Sequence, residues 1–236
     1  MMLLETKALT KHFAGLKAVQ DVDFALPEGD VRALIGPNGA GKTTFVSMLS
    51  GRLLPTSGTV RFGGRDVTGL PAHKRINLGI AYTFQITSVF ANLGVEENVA
   101  LAARRKIKGV AAVRKAAADA LSRVGLQDRS DQIAGNLSYG HQRLLEIAMG
   151  LVQNPRLLIL DEPTQGLAES EISAFKTLIR ALKAQTTILL IEHNMNVVME
   201  VADSVTVLDF GQVLAEGTPA EIHANAAVQA AYLGTG

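Results

Sequence analysis

Gly36-Pro37-Asn38-Gly39-Ala40-Gly41-Lys42-Thr43 has the spacing G-x-x-x-x-G-K-[ST]. Just upstream, Val31 to Ile35 is a short apolar run that reads as a buried strand. Downstream, the pattern from Lys42 to about Leu54 is helical. Strand, glycine-rich turn and helix, in that order, let successive backbone N–H groups converge on phosphate oxygens. Gly36, Pro37, Asn38, Gly39, Ala40, Gly41, Lys42, Thr43 and Thr44 are therefore expected to bind a nucleotide. Lys42 would place a point charge on the β- and γ-phosphates, and the Thr43 hydroxyl would ligate Mg²⁺.

Further along, Leu157 to Leu160 predicts a second buried strand ending at Asp161. Thr187 to Ile191 predicts a third, ending at Glu192, and Ser204 to Leu208 a fourth. Such runs alternating with amphipathic stretches predict an α/β fold with a mostly parallel core sheet, whose ligands sit at the carboxyl ends of the strands. The first 30 residues alternate in polarity, as in Asp21-Val22-Asp23-Phe24, and Thr59 to Phe62 runs into Gly63-Gly64 like a hairpin. These segments predict an antiparallel β layer beside the core. Residues from about 86 to 150 show helical patterns only, near Val95–Arg105, Val110–Val124 and Gln142–Leu151, which predicts an inserted helical lobe. No internal repeat or Gly/Ser/Pro linker divides the chain, so residues 1–236 are expected to form a single domain.

A phosphate cradle requires a carboxylate for its metal. Asp161, at a strand end, is expected to hold Mg²⁺ through water, because magnesium keeps most of its hydration shell. Glu162 points to the other side of the chain, where it could orient or deprotonate an attacking water.

Composition sets limits. Of the 236 residues, 47% are hydrophobic and 19% charged, enough for a large core. The net charge of +1 and the absence of a dominant basic stripe argue against nucleic acid as a partner. Arg104, Arg105, Lys106, Lys108, Arg114 and Lys115 form the one basic concentration; it reads either as a solvated helix face or as a contact for anionic lipid or a partner. There are no cysteines, so neither disulfides nor thiol chemistry are available. No signal peptide is visible, and no apolar run approaches the ~20 residues that span a bilayer. Any work at a membrane would need spanning helices from another polypeptide.

Together these landmarks resemble the ATP-binding subunits of ABC transporters, over nearly the whole chain. Leu137-Ser138-Tyr139-Gly140-His141-Gln142 is similar to the family signature LSGGQ and precedes Asp161 at the usual interval. Gln85 matches the Q-loop, His193 the switch histidine, and Phe13 the adenine-stacking aromatic. Within the family, Phe13-Ala14-Gly15-Leu16-Lys17-Ala18-Val19, Leu137-Ser138-Tyr139-Gly140, Leu145-Glu146-Ile147-Ala148 and Ala231-Tyr232-Leu233-Gly234 look like the branched-chain or hydrophobic amino-acid uptake group. His141 departs from the usual Gln or Glu, and Gly166-Leu167-Ala168-Glu169 departs from the loop that usually ends in Asp or Asn-Pro.

The resemblance implies a P-loop NTPase of ABC-cassette type that hydrolyses ATP with Mg²⁺. Gln85 would touch metal or water and link phosphate state to the lobe. His193 would contact the γ-phosphate and hold Glu162 and water in line. Ser138 and the Gly140 backbone, at the start of a helix expected near Gln142, would close on the γ-phosphate held by a second ATP-binding subunit, identical or related. Phe13 would stack on adenine, or else fill core space. Ile86 to Val95, with Phe90, would meet transmembrane permease subunits or pack internally. A substrate-binding protein would be an indirect partner, and the location would be peripheral, at the cytoplasmic face of the inner membrane. Urea import, lipid or lipopolysaccharide export, and a soluble non-transport ATPase are the alternatives.

Overall fold

The computed structural model describes residues 1–83 and 88–233. Gln85 therefore lies outside the described residues. The chain opens with two long strands, β1 (Met2–Phe13) and β2 (Leu16–Pro27), then β3 (Val31–Ile35) and α1 (Lys42–Ser50). The hairpin strands β4 (Ser57–Phe62) and β5 (Arg65–Asp66) lead into α2 (Ala72–Leu78) and β6 (Ile80–Tyr82). Helices α3 (Val95–Ala103), α4 (Val110–Arg123) and α5 (Tyr139–Leu151) follow, then β7 (Leu157–Asp161), α6 (Glu169–Lys183) and β8 (Thr187–Ile191). The chain continues through α7 (Met195–Val201), β9 (Ser204–Asp209), β10 (Gln212–Gly217), α8 (Pro219–Ala224) and α9 (Ala226–Leu233).

Two sheets result. The six-stranded one has the order β10-β9-β3-β8-β7-β6, parallel except where β10 runs antiparallel to β9. The second, β2-β1-β4-β5, is antiparallel. Every residue of β7 and β8 is buried, as expected for central strands covered on both faces. Alternate side chains serve opposite faces. Leu158, Leu160, Ile188 and Leu190 join one apolar cluster with α5 and α6, whereas Leu157, Ile159, Leu189 and Ile191 join another with α1 and the antiparallel sheet. Helix α6 shows the matching one-sided pattern, burying Ile172, Phe175, Leu178, Ile179 and Leu182.

Two helix boundaries differ from expectation. Helix α1 stops at Ser50 rather than near Leu54, because Gly51 adopts φ 77° and its N–H turns back to Met48 O. Leu70 O would lie 2.7 Å from a Cβ at this position, so the turn also requires the close approach that glycine allows. Helix α5 starts at Tyr139, not near Gln142: the Ser138 side chain accepts from His141 N and caps it there.

The basic cluster is partly absorbed into the fold. Arg105 donates to His73 O and Asn77 Oδ1, and Lys106 to Gln153 O, pinning the segment after α3 onto α2 and the end of α5. Among the described residues no helix is long and apolar enough to cross a membrane.

Candidate functional site

The phosphate loop runs from the end of β3 to the start of α1. Its backbone is clamped from behind, since a Cβ on Gly41 (φ 97°) would stand 2.4 Å from Ala18 O of β2. Gly211 N donates to Ala40 O, and Gln20 N to Gly211 O, tying the loop to the β9–β10 turn as well. Lys42 is 7% exposed, and its Nζ donates to Gly36 O at 2.7 Å and Pro37 O at 3.0 Å. Burial lowers its pKa, against the opposing pull of Glu162 and Asp161.

A cavity of about 610 Å³ faces this loop. Asn38, Gly39, Ala40, Gly41, Lys42, Thr43 and Thr44 form one wall. Glu162 and His193 stand on another, and Leu16, Lys17, Ala18, Gln20 and Phe210 close the rest. The sequence-expected loop, Glu162 and His193 are therefore brought together. Phe13 is not: it lies 44% exposed at the β1–β2 turn, with Lys11 Nζ 5.2 Å from its ring centroid, outside the cavity wall. Phe210 was missed by sequence reasoning. It sits on the wall, 82% exposed, in a left-handed conformation (φ 42°) unusual for an aromatic residue.

Asp161 ends β7 and is 3% exposed. The Tyr82 hydroxyl donates to its Oδ2 at 2.6 Å. Burial raises the Asp161 pKa, and Glu162 adds to this, while the Tyr82 bond and Arg143 and Arg52 oppose it. Burial also raises the Tyr82 phenol.

Glu162 follows with φ 47°, held by a bond from its N–H to Ile191 O. His193 Nε2 lies 2.8 Å from Glu162 Oε1. With the carboxylate as acceptor, Nε2 carries the proton in this contact. Behind the pair, Glu192 is 3% exposed and accepts from Thr164 N and Oγ1, from His193 N and from Asn194 N.

The signature lies elsewhere. Ser138 Oγ is 2.8 Å from His141 Nδ1, and the Gly140 N–H belongs to the first turn of α5. Neither Ser138 nor Gly140 lines the cavity at the phosphate loop. From the same helix, Arg143 pairs with Glu146 at 3.0 Å and reaches Glu162 O at 3.4 Å.

A Gly-rich loop opening a helix, with a carboxylate pair at the end of a strand in the same parallel sheet, defines the P-loop nucleotide hydrolases. Comparison with known proteins narrows that class. The family described as "ABC transporter" matches residues 19–165, and the "Branched-chain amino acid ATP-binding cassette transporter" family matches residues 212–236. The high-affinity branched-chain amino acid transport ATP-binding protein BraF of Pseudomonas aeruginosa is 39% identical, the alignment covering 98% of each chain. LivG of Salmonella typhimurium, described in the same words, is 41% identical at the same coverage. The crystal structure of an ABC transporter's ATP-binding cassette in its ADP conformation superposes with a TM-score of 0.92 at 30% identity, covering 99% of each chain. The chain belongs to the ABC transporter family and is an ATP-binding cassette of it, an ATPase.

Proposed function

We propose that this cassette powers uptake of branched-chain or other hydrophobic amino acids. The C-terminal family match at residues 212–236 and the two near-full-length relatives support that cargo class. The observation that carries the chemistry is the Glu162–His193 pair standing across one cavity from Lys42.

In this reading Glu162 is the general base, orienting or deprotonating the attacking water. His193 holds that carboxylate and contacts the γ-phosphate, Lys42 neutralises phosphate charge, and the loop N–H groups fix the triphosphate. Adenine packs at the Leu16–Phe210 end; Phe13, the aromatic that the resemblance designates, stands outside that wall. The donor set fits a hard cation: the Thr43 hydroxyl and one Asp161 carboxylate offer oxygens only, which suits magnesium completed by phosphate and water. Mg²⁺ held there would supply charge neutralisation on the phosphates. Gln85 keeps its proposed place beside metal or water.

The partner is a second ATP-binding subunit, identical or related. Ser138 and Gly140 stand off the chain's own phosphate cavity, so a phosphate met by them comes from another molecule. Permease subunits, reached through the lobe near Phe90, would place the chain at the inner face of the membrane, with a substrate-binding protein as an indirect partner. Residues 1–236 would act as one domain, its lobe at about 86–150 moving on closure.

The test is reconstitution of the chain with its genomically neighbouring permease subunits in proteoliposomes. ATP-driven accumulation of labelled leucine, isoleucine or valine is expected. Phosphate release without amino-acid movement removes the cargo assignment; no phosphate release at all removes the catalytic reading.

A further inference from the structure

Glu192 is as deeply buried as Asp161 but, unlike Glu162 and His193, does not line the phosphate-loop cavity. It is 3% exposed at the end of β8, where an apolar neighbour would meet no solvation cost. Instead its two oxygens are fully used. Oε1 accepts from Thr164 N at 3.1 Å and Thr164 Oγ1 at 2.5 Å, and Oε2 from His193 N at 3.0 Å and Asn194 N at 3.1 Å. Thr164 lies two residues beyond Glu162 on the turn after β7, and His193 follows Glu192 directly. One buried carboxylate thus joins the two backbone turns that carry the two members of the Glu162–His193 pair.

That bridge answers a physical need. Glu162 holds φ 47°, a left-handed conformation costing about 1 kcal/mol or more in a side chain of this kind. Backbone pairing to Ile191 O fixes only one side of the turn. Without a tie on the other side, the turn could relax and carry the Glu162 carboxylate out of reach of His193 Nε2. A neutral acceptor could not take all four donors, because an amide has one acceptor oxygen and a hydroxyl has a single oxygen.

We infer that Glu192 is a positioning residue for the ATPase reaction: by bonding Thr164 and the His193 backbone together it sets the 2.8 Å contact between His193 and Glu162. The inference rests on the proposed roles of Glu162 and His193. It predicts an effect on the chemical step and not on nucleotide capture, since Glu192 does not line the phosphate-loop cavity.

The experiment compares Glu192→Gln, His193→Ala and the double variant in steady-state phosphate release from the reconstituted transporter. The glutamine keeps volume and an acceptor for Thr164, but turns an N–H₂ toward the N–H groups of His193 and Asn194. Glu192→Gln should lower kcat about tenfold or more with KM for ATP changed less than about twofold. In the His193→Ala background the same change should cost less than about a further twofold, because its route through His193 is already gone. Losses that multiply independently, a KM that rises in step with the fall in kcat, or unchanged kcat overturn the inference. Should Glu192→Gln fold poorly, Thr164→Val removes only the hydroxyl bond; a kcat loss of about threefold at constant KM supports the bridge, and none overturns it. Wild-type turnover is the control that separates the two claims: its absence strikes the ATPase roles, whereas an unaffected variant of an active enzyme strikes only Glu192.

Discussion

The Tyr82 hydroxyl donates to Asp161 Oδ2 at 2.6 Å, joining the last residue of β6 to the last residue of β7. The two strands run parallel in register, with Tyr82 opposite Ile159, so the phenol reaches past its own strand end to the carboxylate. The buried carboxylate proposed to hold Mg²⁺ is thereby fixed in rotamer by a neighbour outside the proposed ligand set.

Tyr82→Phe removes that donor while keeping the ring. The Mg²⁺ concentration for half-maximal ATPase activity should rise about tenfold, in the range found for partners that orient metal ligands. Titration of phosphate release against Mg²⁺ reads this directly. An unchanged midpoint would detach Tyr82 from the metal site and leave it a packing residue.

Glu162→Gln should retain ATP and hydrolyse it about a hundredfold more slowly, since a general base contributes on the order of 10²–10⁴ in rate. The variant should also accumulate as a closed dimer on size-exclusion chromatography with ATP. Normal turnover would take the role of base away from Glu162.

Arg75 is fully buried, and donates to the carbonyls of Met48, Leu49, Thr68 and Leu70 at 2.7–2.9 Å. Two of these acceptors, Met48 O and Leu49 O, lie in the last turn of α1, and Met48 O also takes the Gly51 N–H. Burial lowers the Arg75 pKa to about 10. Arg75→Met fills the space but strips the guanidinium donors from all four carbonyls, leaving Met48 O only its bond from Gly51 N, so stability should fall by about 3 kcal/mol. That corresponds to a drop in Tm of roughly 6–12 °C for a chain of this size. A Tm within 2 °C of wild type, as an outcome of about 1 kcal/mol or less, would mean that water or repacking satisfies those groups.

Phe210 stands on the cavity wall and Phe13 does not. Phe210→Ala should therefore weaken ATP binding about fivefold, the loss of a stacking contact worth about 1 kcal/mol, and more than Phe13→Ala does. Fluorescent-nucleotide titration of both variants ranks them. A larger loss at Phe13 would return the adenine to the aromatic that the family pattern designates.

The phosphate loop and Asp161-Glu162 were legible in the sequence as short local signals at the ends of apolar runs, and His193 through the family resemblance. The meeting of the loop, Glu162 and His193 was legible too, because parallel strands place their carboxyl ends at one edge of the sheet. The groups that hold them in place were not. Tyr82 and Asp161 are 79 residues apart, Thr164 and Glu192 are 28, and Arg143 and Glu162 are 19. Nothing in the local pattern of Tyr82 or Arg143 marks such a partner. The end of α1 was misjudged for a different reason: Leu53 and Leu54 continue an apolar pattern, but the backbone reversal at Gly51 overrides it. Helix α5 starts three residues before the expected Gln142 because the Ser138 side chain accepts from His141 N, and the tolerant pattern of Tyr139-Gly140-His141 does not mark that first turn.

The apolar cluster on one face of the main sheet runs without a break from Val99 and Leu121, through Leu145 and Ile147, to Leu160 and Ile179. The helices α3 to α5 thus have no separate core about which they could swing as on a door pin. Any displacement of them relative to β7 has to slide close-packed side chains past one another, a shear of small amplitude between discrete packings. Arg143, seated on α5 and reaching the Glu162 carbonyl, would carry such a slip directly into the reacting turn.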